Sequence, residues 1–347
     1  MVVAVVTGGQ GVANRPARSW NPRAAAAFLD SRTKAWTAGG GMDHGTFCIS
    51  CHTALPYAIA RPAMHSILGE AKASSVEQTL LESVRKRVVM WDSVLPYLGD
   101  KFGGTGTESV INALVLAQSD STKAAMSATT RQALRIMWEK QIKSGDRAGS
   151  WPWINAGNEP WEAPDSEFWG ATLAAVATAI APDAYLAEPS IQVDLNRLKS
   201  YLRKREPDRS LLNRLGLLWA ATKLPGLIPV DQRTAIVSDV LARQQPDGGW
   251  STASLIPATW SRHDRTAQET RSDGYGTGTV AFILEQSGVR ARSMNRALDW
   301  LAKNQDRVTG AWPTVSPNAT RDPSTDVGKF MTDAATAYAS LALVNGK

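Results

Sequence analysis

The chain has only two cysteines, Cys48 and Cys51, three positions apart and followed directly by His52, one of four histidines in 347 residues. Two thiols at this spacing can each add to one of the two vinyl groups on a single porphyrin edge. The imidazole that follows then falls beneath the ring, where it can ligate iron. The stretch Phe47–His52 therefore predicts one covalent haem c, held through the thioethers of Cys48 and Cys51, with His52 as an axial iron ligand. Three other uses of these residues stand beside it. A redox dithiol of the thioredoxin type wants a βαβ context, which the sequence does not display. A zinc site could recruit His44 with Cys48, Cys51 and His52, although adjacent residues fit one tetrahedron awkwardly. A pair of buried structural thiols is the third. A disulfide framework joining distant parts of the fold is excluded by the count.

The elements that must position this motif follow from an internal repeat. Gln141 precedes Gly149 and Trp151, Gln245 precedes Gly248 and Trp250, and Gln305 precedes Gly310 and Trp312. Downstream of each comes a hydroxyl residue and an acid (Ser166–Glu167, Ser272–Asp273, Thr332–Asp333), with an earlier copy at Thr107–Glu108. A hydroxyl and an acid at a helix start cap free N–H groups and meet the positive dipole end, so these acids are expected as caps. The runs that follow are small and apolar and belong innermost, while the charged, amphipathic segments before each Gly-x-Trp belong outside. Outer helices are expected near 21–37, 77–91, 129–143, 191–204, 231–244 and 291–304. Inner helices are expected near 53–69, 107–118, 166–181, 210–223, 272–286 and 332–344. Strand-like alternation is nearly absent. Six hairpins, none able to bury its face alone, predict an all-α toroid over residues 21–347 in one domain, with residues 1–20 as an extension or signal remnant and the haem site at 47–52.

The Gln…Gly-x-Trp repeats resemble the QW motifs of squalene–hopene cyclases, whose α/α toroid is shared with protein prenyltransferase β subunits. The resemblance implies that Gln141, Trp151, Gln245, Trp250, Gln305 and Trp312 brace neighbouring repeats. It carries neither the cyclase activity, because the Asp-x-Asp-Asp motif of those enzymes is missing, nor the prenyltransferase zinc site, whose ligands include a Cys, because both cysteines are spent in the first hairpin. Thr53-Ala54-Leu55-Pro56-Tyr57 after the haem motif is similar to a set of bacterial proteins that join CxxCH to this toroid.

Parallel inner helices put their N-termini on one rim, together with the loops 92–106, 144–165, 245–271 and 305–331. The haem is expected at that mouth, roofed by Trp151, Trp153, Trp161 and Trp260. Met331 is the preferred second axial ligand, with His263, Met42 or His44 as alternatives and an open sixth position also possible. Met64 and His65 lie too far along the first inner helix. The leading expectation is a monohaem c-type cytochrome that transfers electrons outside the cytoplasm, in the periplasm, to a redox partner or membrane complex. The alternatives are a haem peroxidase or oxygenase, a toroid converting an isoprenoid such as a quinol, or a haem-bearing accessory subunit. The net charge of +6, spread over 38 basic and 32 acidic residues without a basic block, argues against nucleic acid. No run is long enough to span a membrane.

Overall fold

The computed structural model describes residues 19–40, 42–43, 45–98 and 103–346. The expected extension lies almost wholly outside them. The chain runs through α1 (Pro22–Ala35), a two-residue hairpin β1 (Met42–Asp43) and β2 (Thr46–Phe47), α2 (Ala54–Ala63), α3 (His65–Leu68), α4 (Ser75–Val89) and α5 (Trp91–Leu98). It continues as α6 (Gly104–Asp120), α7 (Ala128–Glu139), α8 (Ser166–Ile180), α9 (Gln192–Arg205) and α10 (Leu211–Lys223). The last elements are α11 (Val230–Leu241), α12 (Gly274–Gln286), α13 (Arg292–Asn304) and α14 (Asp326–Asn345). None of the described helices is long and apolar enough to cross a membrane.

Helices α2, α6, α8, α10, α12 and α14 each touch the next, and α14 touches α2, so the inner helices close a ring. Composition explains the division into two layers. In α12, Gly274 through Leu284 is buried on every side, and a Cβ added at Gly278 would lie 2.6 Å from the backbone nitrogen of Ala339 in α14. Only glycine lets these two backbones approach so closely. The outer helix α13 instead buries Met294, Ala297, Leu298, Leu301 and Ala302, one stripe at helical spacing.

The Gly-x-Trp repeats join each hairpin to the next. The indole Nε1 of Trp151, Trp250 and Trp312 donates to Met137, Val240 and Leu301, carbonyls of the preceding outer helix, at 2.6–2.8 Å. Gly149, Gly248 and Gly310 all have positive φ. A Cβ on them would strike the backbone of α9, α13 and α1 respectively, at 2.3–2.8 Å. The third of these contacts joins the last repeat to the first. Gln305 completes it: its amide donates to Asn21 O (3.0 Å) and Gly310 O (2.9 Å) and accepts from Asn21 N (2.7 Å). Gln141 donates in the same way to Asp194 O (3.0 Å) and Gly149 O (3.5 Å).

In the middle repeat the brace is Gln244, which donates to Gly248 O and Ser293 O at 2.8 Å each, whereas Gln245 donates to Thr270 O. The expected caps also need correction. Asp273 does cap α12, accepting from Gly276 N at 2.8 Å. However, α6 starts at Gly104 and α14 at Asp326, which puts Glu108 and Asp333 inside their helices. There they meet arginines of outer helices, Glu108 with Arg87 and Asp333 with Arg32. Glu167 lies in the first turn of α8 but accepts from Ser150, Arg147 and Tyr201 side chains.

The closure contact gives a paired test. Gly145 and Gly310 share a positive φ, but a Cβ at Gly145 would meet nothing within 4 Å. Gly145→Ala should cost about 1 kcal/mol from the left-handed backbone alone. Gly310→Ala must also push the α1 backbone outward and should cost roughly 3 kcal/mol or more, read as a lower urea midpoint.

Candidate functional site

His52 lies in the turn entering α2, at the end of the ring where the inner helices start. Aromatic side chains from three other segments enclose it. The Phe330 ring of α14 stacks on it (centroids 3.5 Å apart, planes 19°), Trp36 meets it edge-on at 5.0 Å, and Trp161 lies 6.2 Å away. The cluster continues through Trp161–Tyr275 at 5.4 Å and Tyr275–Tyr338 at 5.9 Å. Burial, then the charge of Arg32, lowers the His52 pKa to about 3, so the imidazole is neutral at physiological pH.

A hydrogen-bond chain assigns its tautomer. Arg32 Nε donates to Asp333 Oδ1 (2.7 Å), and Thr53 Oγ1 donates to Asp333 Oδ2 (2.6 Å). The Thr53 oxygen, having given its proton away, accepts from His52 Nδ1 at 2.8 Å. This leaves Nε2 as the basic nitrogen of the ring. Burial holds the Asp333 carboxyl up at about 6 despite its bonds to Arg32 and Thr53.

A tight turn ahead of α8 brings two acids to the same rim. Asn158 and Glu162 pair as an antiparallel bridge, with a cis Glu159–Pro160 bond between them. Asn318 anchors the turn by donating to Glu159 O at 2.6 Å. The Glu159 side chain is almost fully buried, and no described residue hydrogen-bonds its carboxyl. Burial, then the nearby charge of Asp165, raises its pKa to about 7. Burial also raises Glu162, against a bond from Asn158. The other rim carboxylates are committed: Asp165 to Arg209 and Asn213, Asp273 to Thr252 and the α12 N-terminus. Glu159 is therefore a carboxylic acid that keeps its proton near neutral pH, beside aromatic rings.

The sequence-predicted site residues are only partly brought together. Cys51 is buried within electrostatic reach of Glu162 and Tyr338, and burial pushes its thiol well up. Cys48 is half-buried, and its carbonyl accepts from Trp36 Nε1 at 2.8 Å. Met331 is buried in α14, but the α14 side chain stacked on His52 belongs to Phe330. His263 is exposed, in a loop beside Trp260. His65 opens α3, beyond the far end of α2, 2.9 Å from Glu77. His44 and the side chain of Met42 lie outside the described residues. Of the expected roof only Trp161 reaches His52; Trp151 serves as a repeat brace. Among the described residues, no group of three or more His, Cys, Asp or Glu could hold a metal ion. The haem test is one of shape. A porphyrin bound to both sulfurs needs its face against Nε2, yet Cys51 is buried and the imidazole is enclosed by Phe330, Trp36 and Trp161. As folded, the two cysteines are not in a haem-binding arrangement.

No protein-family model and no curated protein matches the chain. Among solved structures it is similar to a possible member of the GH105 family from Salmonella enterica subsp. enterica serovar Paratyphi A str. ATCC 9150. That match has a TM-score of 0.54 and 12% identity, and covers 99% of each chain. It is also similar to a possible GH105 member from Klebsiella pneumoniae subsp. pneumoniae MGH 78578. Here the TM-score is 0.52 and the identity 11%, over 100% of this chain and 98% of the other. At such identity the likeness is one of fold, the α/α toroid.

These neighbours correct the expected kinship with squalene–hopene cyclases and prenyltransferases carrying a cytochrome motif. The Gln and Trp braces solve a joining problem common to any ring of helical hairpins, so they identify the ring and not the family. The monohaem electron carrier is withdrawn with it. So are its alternatives, the haem peroxidase or oxygenase, the isoprenoid-converting toroid and the haem-bearing accessory subunit.

Sequence reasoning passed over Glu159 and Glu162. The only signal was two acids flanking Trp161 in a loop. Their state is testable through stability. Glu159 has a folded pKa above its unfolded value, so its contribution is full below about pH 4 and is lost as pH rises through about 7. Glu159→Gln should remove that slope. The stability of wild type relative to the variant should fall by roughly 3 kcal/mol between pH 4 and 8, measured by urea unfolding.

Proposed function

We propose that the chain is a glycan-processing enzyme that cleaves a glycosidic bond at the rim where the inner helices start, with Glu159 as the proton donor. The observation that carries this reading is the Glu159 carboxyl, buried, without a hydrogen-bond partner among the described residues and still protonated near neutral pH. Cleaving an acetal requires a proton delivered to the departing oxygen as the bond breaks. An acid with a pKa near 7 is strong enough to give the proton and weak enough to hold it beforehand. Glu162 supplies a second carboxyl on the same turn.

Two further features support the reading. Beside the start of α14 on the same rim is a cavity of about 690 Å³, lined by Arg262, Gln268, Thr314, Lys329 and Thr332 among others. Its volume suits one or two sugar units, and its lining lies beside Glu159 and Glu162 without including them. The solved structures of similar fold are described as possible members of a glycosyl hydrolase family.

The test is turnover of a panel of aryl glycosides and defined oligosaccharides, followed by chromatography. Activity should fall as pH rises past about 7, where Glu159 loses its proton. Glu159→Gln should lower kcat by about 10²–10⁴-fold with little change in KM. A panel that is neither bound nor cleaved, or a fully active Glu159→Gln variant, would sink the proposal.

A further inference from the structure

Cys48-x-x-Cys51 is the one sequence motif that the proposed chemistry leaves unused. We propose that these two residues form a thiol–disulfide exchange site, oxidised by small disulfides such as oxidised glutathione. Both are thiols in the structure. They bracket the turn between β2 and α2, and that turn is held in shape. Ser50 Oγ accepts from Thr53 N (3.2 Å) and Ala54 N (3.0 Å), and Ser50 O accepts from Leu55 N (3.0 Å).

The sulfurs are unequal in access: Cys48 is half-buried while Cys51 is only 4% exposed. This asymmetry sets the order of events. A reagent in solution reaches Cys48, and the buried Cys51 is reached only from within the turn. Cys48 as thiolate attacks one sulfur of oxidised glutathione, forming a mixed disulfide and expelling one glutathione thiolate. The Cys51 sulfur then attacks Cys48 Sγ, closing the Cys48–Cys51 bond and expelling the second. The two cysteine protons end on the two departing glutathiones, so two thiols are oxidised and one disulfide is reduced.

The bond would tie the exit of β2 to the entry of α2. Trp36 bonds the Cys48 carbonyl and its ring lies against His52, so the rim cluster would feel the redox state of the pair. The site stands independently of the glycan reading, since neither sulfur takes part in the cleavage proposed above.

The full-length protein would be equilibrated with reduced and oxidised glutathione, denatured, alkylated with iodoacetamide and weighed intact. Reduced protein should take two alkyl groups and oxidised protein none. In the native reduced state, Cys48→Ser should alkylate at least tenfold more slowly than Cys51→Ser. Cys51→Ser, unable to close the ring, should retain one glutathione on Cys48. Two alkylatable thiols after oxidation, or a Cys51→Ser variant that takes no glutathione, would overturn the proposal. So would a porphyrin-sized mass on both sulfurs of protein made with a haem-maturation system.

Discussion

Everything in this molecule depends on a ring having no ends. Six helical hairpins laid side by side leave two open faces unless the sixth meets the first, and a chain cannot arrange that locally. The contact that does so is small. Gln305 exchanges hydrogen bonds with the backbone of Asn21, and Gly310 lies against Ala24 where any side chain would collide. Arg32 of α1 reaches across the same seam to Asp326 and Asp333 of α14. The Arg32–Asp333 pair is buried, and breaking it leaves an unpaired charge, so the seam is fastened by charge as well as by shape.

The closed ring also creates the site. Six inner helices running the same way turn six N-termini toward one rim, where the partial positive charge of each favours carboxylates. The acids gathered there divide by partner. Asp165, Asp273 and Asp333 spend their oxygens on arginine, hydroxyl or backbone donors. Glu159 has none of these among the described residues and is surrounded by burial and a neighbouring negative charge, so it keeps its proton. The contrast between committed and uncommitted carboxyls on one rim is what turns a scaffold into a chemical proposal.

How much of this could be read beforehand follows physical lines. The helices were legible because each carries its own periodicity, and the outer and inner segments fall within a few residues of their expected places. The inner layer was legible because small residues allow close approach on several sides. Partners across space were not. Thr332–Asp333 has the look of a helix start, but α14 begins a turn and a half earlier and Asp333 points to Arg32, 301 residues away in the chain. Gln244 and Gln245 are indistinguishable by type, and only the direction of the last turn of their segment decides which one faces the glycine. The CxxCH spacing is a local pattern and carries no information about what surrounds it in the fold. The rings of Phe330, Trp36 and Trp161 that enclose His52 come from segments remote from the motif. Glu159 announced itself least, because a raised pKa is a property of neighbours and burial and leaves no mark on residue type.

The seam has one more consequence, for the time at which the molecule can become complete. Asn21 and Gln305 are separated by 284 positions. At about 5–20 residues per second, a ribosome needs tens of seconds to make the second after the first has emerged. For that interval the first hairpin waits as the exposed edge of an arc, its apolar flank uncovered, while each new hairpin docks on the one before it. Assembly by neighbour contacts is quick, but the final meeting carries the entropy of the longest loop in the chain. A ring of this kind is born open, and its first-made surface is the last to be sheltered.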